Sequence, residues 1–294
     1  GGSEELRETS PSQALALRRL DGARHLVERA SFGAALEVLP DPDKPFTVLQ
    51  LPRPLEDLQA VRQMTCFLSA WDRLSYGDAK ELGCPVLSAL PAAWRPLCPS
   101  PAMQSWVGKL ARAPSRDEHT AMAAWLRLLA VDLLANAERR RQQRQLEDAL
   151  VRSYRVLELV GQSRLFSRGI DSERIPPEHE VVKRTRERIR KSKSSDFSLR
   201  GDGFLMAARE TAARLLKEFG DPLAPELLAF AGRGEALKAK NRNSSILIHG
   251  FEARAPSDES EWDKLFKDLW DLLERDWADA PGDFTQARDA ACYP

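Results

Sequence analysis

Two long helical patterns fill the sequence DEHTAMAAWLRLLAVDLLANAERRRQQRQLEDALVRSYRVLELVGQSRLF, which runs from Asp117 to Phe166. In each half the apolar residues recur every three or four positions, which is the spacing of one face of an α-helix. The first helix is predicted over Asp117–Ala137 and the second over Gln145–Phe166, joined by the charged stretch Glu138–Arg144. We expect these two helices to pack together as the trunk of a helical domain.

The rest of the chain has the same helical spacing, and no alternating run of Val, Ile and Thr predicts a strand, so the fold class is predicted to be all-α. Helical patterns cover residues 11–39, 55–74 and 76–82 before five prolines between Pro85 and Pro101 interrupt the chain. We place a domain boundary near residue 115. The sequence therefore predicts an N-terminal helical domain at residues 4–115 and a C-terminal helical domain at residues 116–294, with residues 1–3 resembling a tag or linker remnant.

Further helices are predicted beyond the trunk. They lie near residues 203–219, at Pro225–Phe230 and at Trp262–Trp277. The last of them is strongly amphipathic, with aromatic residues on one face and charged residues on the other. We expect its aromatic face to close the helical core, and a contact between two copies of the chain is the alternative.

Composition narrows the range of functions. The 294 residues include 44 basic and 44 acidic side chains, so the attraction of nucleic acid would depend on local clusters. The four cysteines form no CxxC pair and lack histidines at zinc spacing, which argues against a disulfide framework and a structural metal. The most apolar stretch, Ala121–Ala137, contains Arg127 and Asp132 and is not expected to span a membrane. These features predict a soluble cytoplasmic protein without a metal or another cofactor.

The densest positive run in the chain is KRTRERIRKSK, residues 183–193. Such a run can hold the phosphates of RNA. It contains no aromatic residue on which a base could stack, and a solvated helix end or loop also explains it. Both interpretations stay open. The candidate RNA-binding residues are Lys183, Arg184, Arg186, Arg188, Arg190 and Lys191.

One sequence pattern indicates chemistry, and it lies in ALKAKNRNSSILIHG, residues 236–250. Arg242 and His249 are seven positions apart in this string. At about 100° per residue they share one face of a helix and lie roughly 10 Å apart along its axis. Asn243 adds an amide beside Arg242. Gly250 is a typical helix terminator, which places His249 at the negative end of the helix dipole and favours its charged form.

A histidine and an arginine can together cut RNA without a metal. The 2′-hydroxyl of the RNA attacks the adjacent phosphorus, the histidine transfers protons near neutral pH, and the arginine stabilises the developing charge. A separation of roughly 10 Å between Arg242 and His249 is long for two side chains that must reach one phosphate. Two such helices facing each other in a homodimer would bring an arginine and a histidine closer together. On the spacing alone, a surface or capping role is the simpler interpretation.

The fuller string RNSSILIHGF, Arg242–Phe251, resembles the Arg-x4-6-His signature of HEPN ribonucleases, above all the CRISPR-associated proteins that join a HEPN domain to a CARF sensor domain. Two upstream blocks, Ala70–Leu82 (AWDRLSYGDAKEL) and Asp132–Asp171, are similar to motifs of one CARF–HEPN subfamily. The resemblance covers most of the chain beyond residue 50. It implies a HEPN domain at residues 116–294 that cuts single-stranded RNA, with the catalytic residues Arg242, Asn243 and His249.

Other residues match the subfamily motif without an assigned catalytic role, and we interpret them as packing or buried hydrogen-bonding residues. They are Asp132, Asn136, Arg139, Tyr154, Arg155, Glu158 and Gln162.

The chain departs from the family because its sequence contains no Rossmann-like α/β region with a Gly-rich loop. In relatives that CARF domain binds a cyclic oligoadenylate, so this ligand would act here only through a sensor domain that is not seen in the chain. Two alternatives stay open. The chain is a non-catalytic helical scaffold that dimerises or binds RNA or protein, or it is a toxin-like HEPN protein regulated by a separate partner.

Overall fold

A computed structural model gives the fold of the protein and describes residues 11–39, 55–192, 197–230 and 258–293. This part consists of α-helices, short 3-10 turns and one two-stranded sheet, which confirms the predicted all-α class. The chain divides into two compact units. The N-terminal unit comprises residues 1–111 with 293–294, and the C-terminal unit comprises residues 112–292.

The N-terminal unit is built from helices that each pack on the next in the sequence. They are α1 (Pro11–Glu28), α2 (Phe32–Val38), α3 (Leu55–Asp72), α4 (Tyr76–Leu82) and α5 (Pro101–Leu110). In its core Trp71 lies edge-on to Phe67 and to Tyr293. Between α4 and α5 lie two short 3-10 turns, Leu87–Ala89 and Ala92–Leu97. Of the prolines predicted to interrupt the chain, Pro96 lies inside the second turn and Pro101 begins α5.

The C-terminal unit is organised by a helical hairpin of α6 (His119–Gln142) and α7 (Leu146–Phe166), which confirms the predicted trunk. The charged stretch after Ala137 continues α6 for more than a turn, whereas we predicted a connection there. Its Glu, Arg and Gln residues are good helix formers, so the helix persists until Arg144 turns the chain with a φ of 61°. Buried leucines such as Leu134 and Leu157 hold the hairpin together, each contributing about 1.5–3 kcal/mol.

The remaining elements of this unit surround the hairpin. They are α8 (Glu180–Ser192), β1 (Ser198–Leu199), β2 (Leu205–Met206), α9 (Arg209–Glu218), α10 (Ala224–Ala229), α11 (Glu259–Asp276) and α12 (Pro281–Ala291). The amphipathic helix predicted near the C-terminus is α11, and its aromatic residues Trp262, Phe266 and Trp270 are buried. This helix packs against α6 and α7 and closes the core of the unit, as predicted.

The helix predicted near residues 203–219 begins later than expected, at Arg209. The chain before it forms a small antiparallel sheet, in which Leu199 pairs with Leu205 and an isolated bridge joins Leu205 to Ile175. Gly203 adopts a φ of 84° in the turn between the strands. Two-residue strands are too short to show an alternating pattern, which is why the sequence did not reveal them.

Helix α6 is long and apolar enough to cross a membrane by length and composition, and within the described residues no other helix meets this test. Some 61% of its apolar window is buried inside the protein, however. Core helices of soluble proteins have the same character, so the finding is weak evidence for a membrane span.

Candidate functional site

The predicted catalytic residues lie in the segment 231–257, outside the described residues; they are Arg242, Asn243 and His249. The structure gives the positions of the helices on either side of this segment. Before it, α10 is followed by the buried Phe230, and Glu226 of α10 forms an ion pair with Arg275 of α11. Residue 230 therefore lies near the C-terminal part of α11.

After the segment, the start of α11 is held at the basic end of α6. Arg141 Nη2 donates to Glu259 Oε2 at 2.6 Å, and Arg144 pairs with the same carboxylate. Hydrogen bonds from these two arginines lower the pKa of Glu259. Asp258 caps α11 by accepting a hydrogen bond from the backbone N–H of Ser260 at 2.9 Å, and this bond lowers the pKa of Asp258. The segment with the motif thus runs between two anchored helix ends.

A cavity of about 570 Å³ opens beside this contact. Its lining residues are Glu138, Arg141, Gln142, Arg144 and Glu259. Glu138 accepts a hydrogen bond from Trp270 Nε1 at 3.0 Å, and burial raises the pKa of this carboxyl. Because two arginines and two glutamates balance each other here, the cavity offers no net positive charge to a phosphate.

A chain of buried ion pairs ties the other end of α11 to the helical hairpin. Asp276, whose side chain is 1% exposed, accepts hydrogen bonds from Arg164 Nη1 at 2.8 Å and from Arg127 Nε at 3.3 Å. Arg164 also donates to Asp221 at 2.8 Å. Burial raises the pKa of Asp276, and the two guanidinium groups oppose that rise. One carboxylate therefore joins α6, α7 and the end of α11.

A second cavity, of about 690 Å³, lies beside these ion pairs. Four arginines line it, but each is already paired with a carboxylate. These arginines are Arg127, Arg164, Arg168 and Arg275. The cluster is accordingly an anchor for the fold, since a bound anion would have to displace its existing partners.

The predicted RNA-binding run lies largely on α8. Val181, Val182 and Thr185 bury one face of this helix, while Lys183 and Arg184 are exposed. Lys183 Nζ lies 4.0 Å from a carboxylate oxygen of Glu180, and both side chains of this ion pair are open to water. The other candidates belong to the same helix, but their side chains lie outside the described part; they are Arg186, Arg188, Arg190 and Lys191.

A family model for the Csm6 HEPN domain matches residues 120–276. The chain belongs to this family. The match begins in α6, ends with α11 and includes the string RNSSILIHG at Arg242–Gly250. It confirms the resemblance to CRISPR-associated HEPN proteins that the sequence indicated. No curated protein matches the chain.

Within this Csm6 HEPN domain, three of the subfamily motif residues lie on one face of α6. Asp132, Asn136 and Arg139 follow each other at helical spacing, and all three are buried. Arg139 Nη1 donates to the backbone carbonyl of Ala291 at 3.1 Å, which connects α6 to α12. This hydrogen bond thus joins two helices of the C-terminal unit.

The remaining motif residues lie on α7. Tyr154 is buried, and the guanidinium of Arg209 lies 4.9 Å from the centre of its ring. Arg155 donates to Glu158 at 2.8 Å and to Gln162 at 3.2 Å along the surface of the helix. These contacts stabilise the HEPN core and its surface.

Sequence reasoning missed two groupings that the structure brings together. One is the chain of ion pairs around Asp276, whose partner Arg127 lies 149 positions away. The other is in the N-terminal unit, where Cys84 Sγ lies 3.7 Å from Cys98 Sγ across 14 positions. Neither had a local sequence signal, because both depend on how the helices fold back on each other.

Proposed function

We propose that this Csm6 HEPN domain is an endoribonuclease that cuts single-stranded RNA without a metal ion, in the cytoplasm, as part of CRISPR-linked antiviral defence. The observation that carries the proposal is the family match, because its range includes Arg242, Asn243 and His249 within RNSSILIHG. A histidine and an arginine are the residue types that proton transfer and phosphate stabilisation require near neutral pH.

In the proposed reaction the 2′-oxygen of the RNA attacks the adjacent phosphorus. The bond from phosphorus to the 5′-oxygen breaks, and the products carry a 2′,3′-cyclic phosphate and a 5′-hydroxyl. His249 assists the proton transfer or stabilises the charge that develops, and Arg242 holds the scissile phosphate. Asn243 positions Arg242 or the backbone around it.

We further propose that the domain acts as a homodimer, with the Arg242 and His249 pairs of two chains facing each other across a cleft. The proposal rests on the seven-residue spacing, which predicts a separation of roughly 10 Å within one helix. A second copy would complete a site of phosphate size. A cyclic oligoadenylate would regulate this site only through a sensor domain, as inferred from the sequence.

The substrate test uses two fluorescent oligonucleotides of the same sequence, one of RNA and one with deoxyribose at every position, in buffer containing EDTA. We expect the chain to cut the RNA into products with 2′,3′-cyclic phosphate ends and to leave the deoxy strand intact, since that strand lacks the nucleophile. Cleavage of both strands, or cleavage that EDTA stops and magnesium restores, would contradict the proposal.

We also expect α8 to hold the RNA backbone. Changing Lys183 and Arg184 together to glutamine should weaken RNA binding and make the affinity less dependent on salt. The slope of log affinity against log salt concentration should become smaller by about 1–2. Fluorescence anisotropy at several salt concentrations measures both quantities. The matched control replaces two exposed lysines of the N-terminal unit, Lys80 and Lys109, with glutamine. Equal losses in the two double variants would show that α8 has no special role in binding.

A further inference from the structure

Cys84 and Cys98 form a close thiol pair in the N-terminal unit. Their sulfur atoms are 3.7 Å apart, and both side chains are half-buried. A disulfide needs a sulfur separation of about 2.05 Å. The two sulfurs are therefore in contact, and they must approach each other further for a bond to form.

The backbone around both cysteines is fixed by hydrogen bonds from neighbouring helices. Gln63 Nε2 of α3 donates to the carbonyl of Leu82 at 3.0 Å, two residues before Cys84. On the other side, Gln104 Nε2 of α5 donates to the carbonyl of Pro99 at 2.9 Å, directly after Cys98. These hydrogen bonds thus hold the backbone next to each cysteine in place.

A metal site explains the pair less well. Within the described residues no group of three or more His, Cys, Asp or Glu side chains is arranged to hold an ion. Structural zinc requires four such ligands. Two thiols alone in a half-buried position are instead the arrangement from which an intramolecular disulfide forms.

We propose that Cys84 and Cys98 are a modification site at which a peroxide produces a reversible disulfide. One thiolate attacks the peroxide oxygen, the O–O bond breaks, and a sulfenic acid and hydroxide form. The neighbouring sulfur then attacks the sulfenic sulfur, the S–S bond forms, and water leaves. For hydrogen peroxide the two thiols are oxidised to one disulfide and the peroxide is reduced to two molecules of water.

Either sulfur can attack the peroxide, because both side chains are half-buried and the two atoms are close together. The other sulfur then closes the disulfide. Burial and the adjacent Cys98 sulfur raise the pKa of Cys84. The closed loop would link the end of α4 to the start of α5 and restrict the unfolded chain, which stabilises the N-terminal unit.

The experiment treats the full reduced chain with hydrogen peroxide, removes the excess with catalase and blocks free thiols with N-ethylmaleimide. Chymotrypsin cuts after Trp94 and so separates the two cysteines before mass spectrometry. We expect the peptides containing Cys84 and Cys98 to be joined, with the loss of two hydrogen atoms in mass, and to separate again with dithiothreitol. The oxidised chain should also unfold at a higher temperature.

Two comparisons make the result specific. Cys84→Ser and Cys98→Ser should each abolish the link, whereas Cys66→Ser should leave it unchanged. Because a serine variant can disturb folding, the wild-type chain is also oxidised in guanidinium chloride, where the link should form more slowly than in the folded chain. Labelling of both Cys84 and Cys98 by N-ethylmaleimide after peroxide treatment, or equal rates in folded and unfolded chain, would overturn the proposal.

Discussion

Changing His249 to alanine is expected to lower the rate of RNA cleavage by about 10²–10⁴-fold, the usual contribution of a positioned acid–base group. Changing Arg242 to alanine should lower it by roughly 10²–10³-fold, because a group that stabilises developing charge contributes that much. Both losses should appear in the rate at saturating RNA. The measurement is the initial rate on a fluorescent single-stranded RNA, with thermal unfolding recorded for each variant.

The matched controls for this prediction are His25→Ala and Arg29→Ala. Both residues are exposed on the N-terminal unit. The first substitution removes an imidazole, as His249→Ala does, and the second removes a guanidinium, as Arg242→Ala does. The controls should retain the wild-type rate. If His25→Ala slowed cleavage as much as His249→Ala, the effect would not come from a catalytic histidine at position 249.

The second large effect is expected on stability. Asp276→Ala should destabilise the C-terminal unit by about 3–5 kcal/mol, because it leaves the part-buried charges of Arg127 and Arg164 without their shared partner. For a unit of this size the midpoint of thermal unfolding should fall by on the order of 10 °C. Differential scanning calorimetry of the full chain measures this shift.

Asp279 provides a control for Asp276 with the same chemistry. It also pairs with Arg127, at 2.6 Å, but its side chain is 71% exposed and the pair is open to water. Asp279→Ala should therefore cost only about 0–1 kcal/mol. Equal destabilisation by the two variants would show that burial of Asp276 is not what makes its ion pairs important.

The sequence was sufficient to predict the helical elements that carry most of the fold. The apolar spacing in α6, α7 and α11 extends over several turns, and such long periodic segments are the most readily recognised. The sheet of β1 and β2 could not be predicted, because two-residue strands have no measurable alternation. The continuation of α6 beyond Ala137 was also missed, since its charged residues gave no apolar stripe to follow.

For the candidate site, the sequence shows the motif itself but not the contacts that hold the helices on either side of it. Arg242, Asn243 and His249 lie within one short string, so the motif is visible in the sequence, and the family match covers it. The anchoring of the flanking helices was not predictable. Contacts such as Arg141 with Glu259 and Arg164 with Asp276 join residues more than 100 positions apart, and only the folded arrangement of α6, α7 and α11 brings them together.

The most direct test of the central claim compares the wild-type chain with the double variant Arg242→Ala/His249→Ala, purified in the same way, on single-stranded RNA in the presence of EDTA. We predict cleavage by the wild-type chain and none by the double variant, with the same unfolding temperature for both. Equal cleavage by the two proteins, or no cleavage by either, would contradict the assignment of RNA-cleaving activity to this motif.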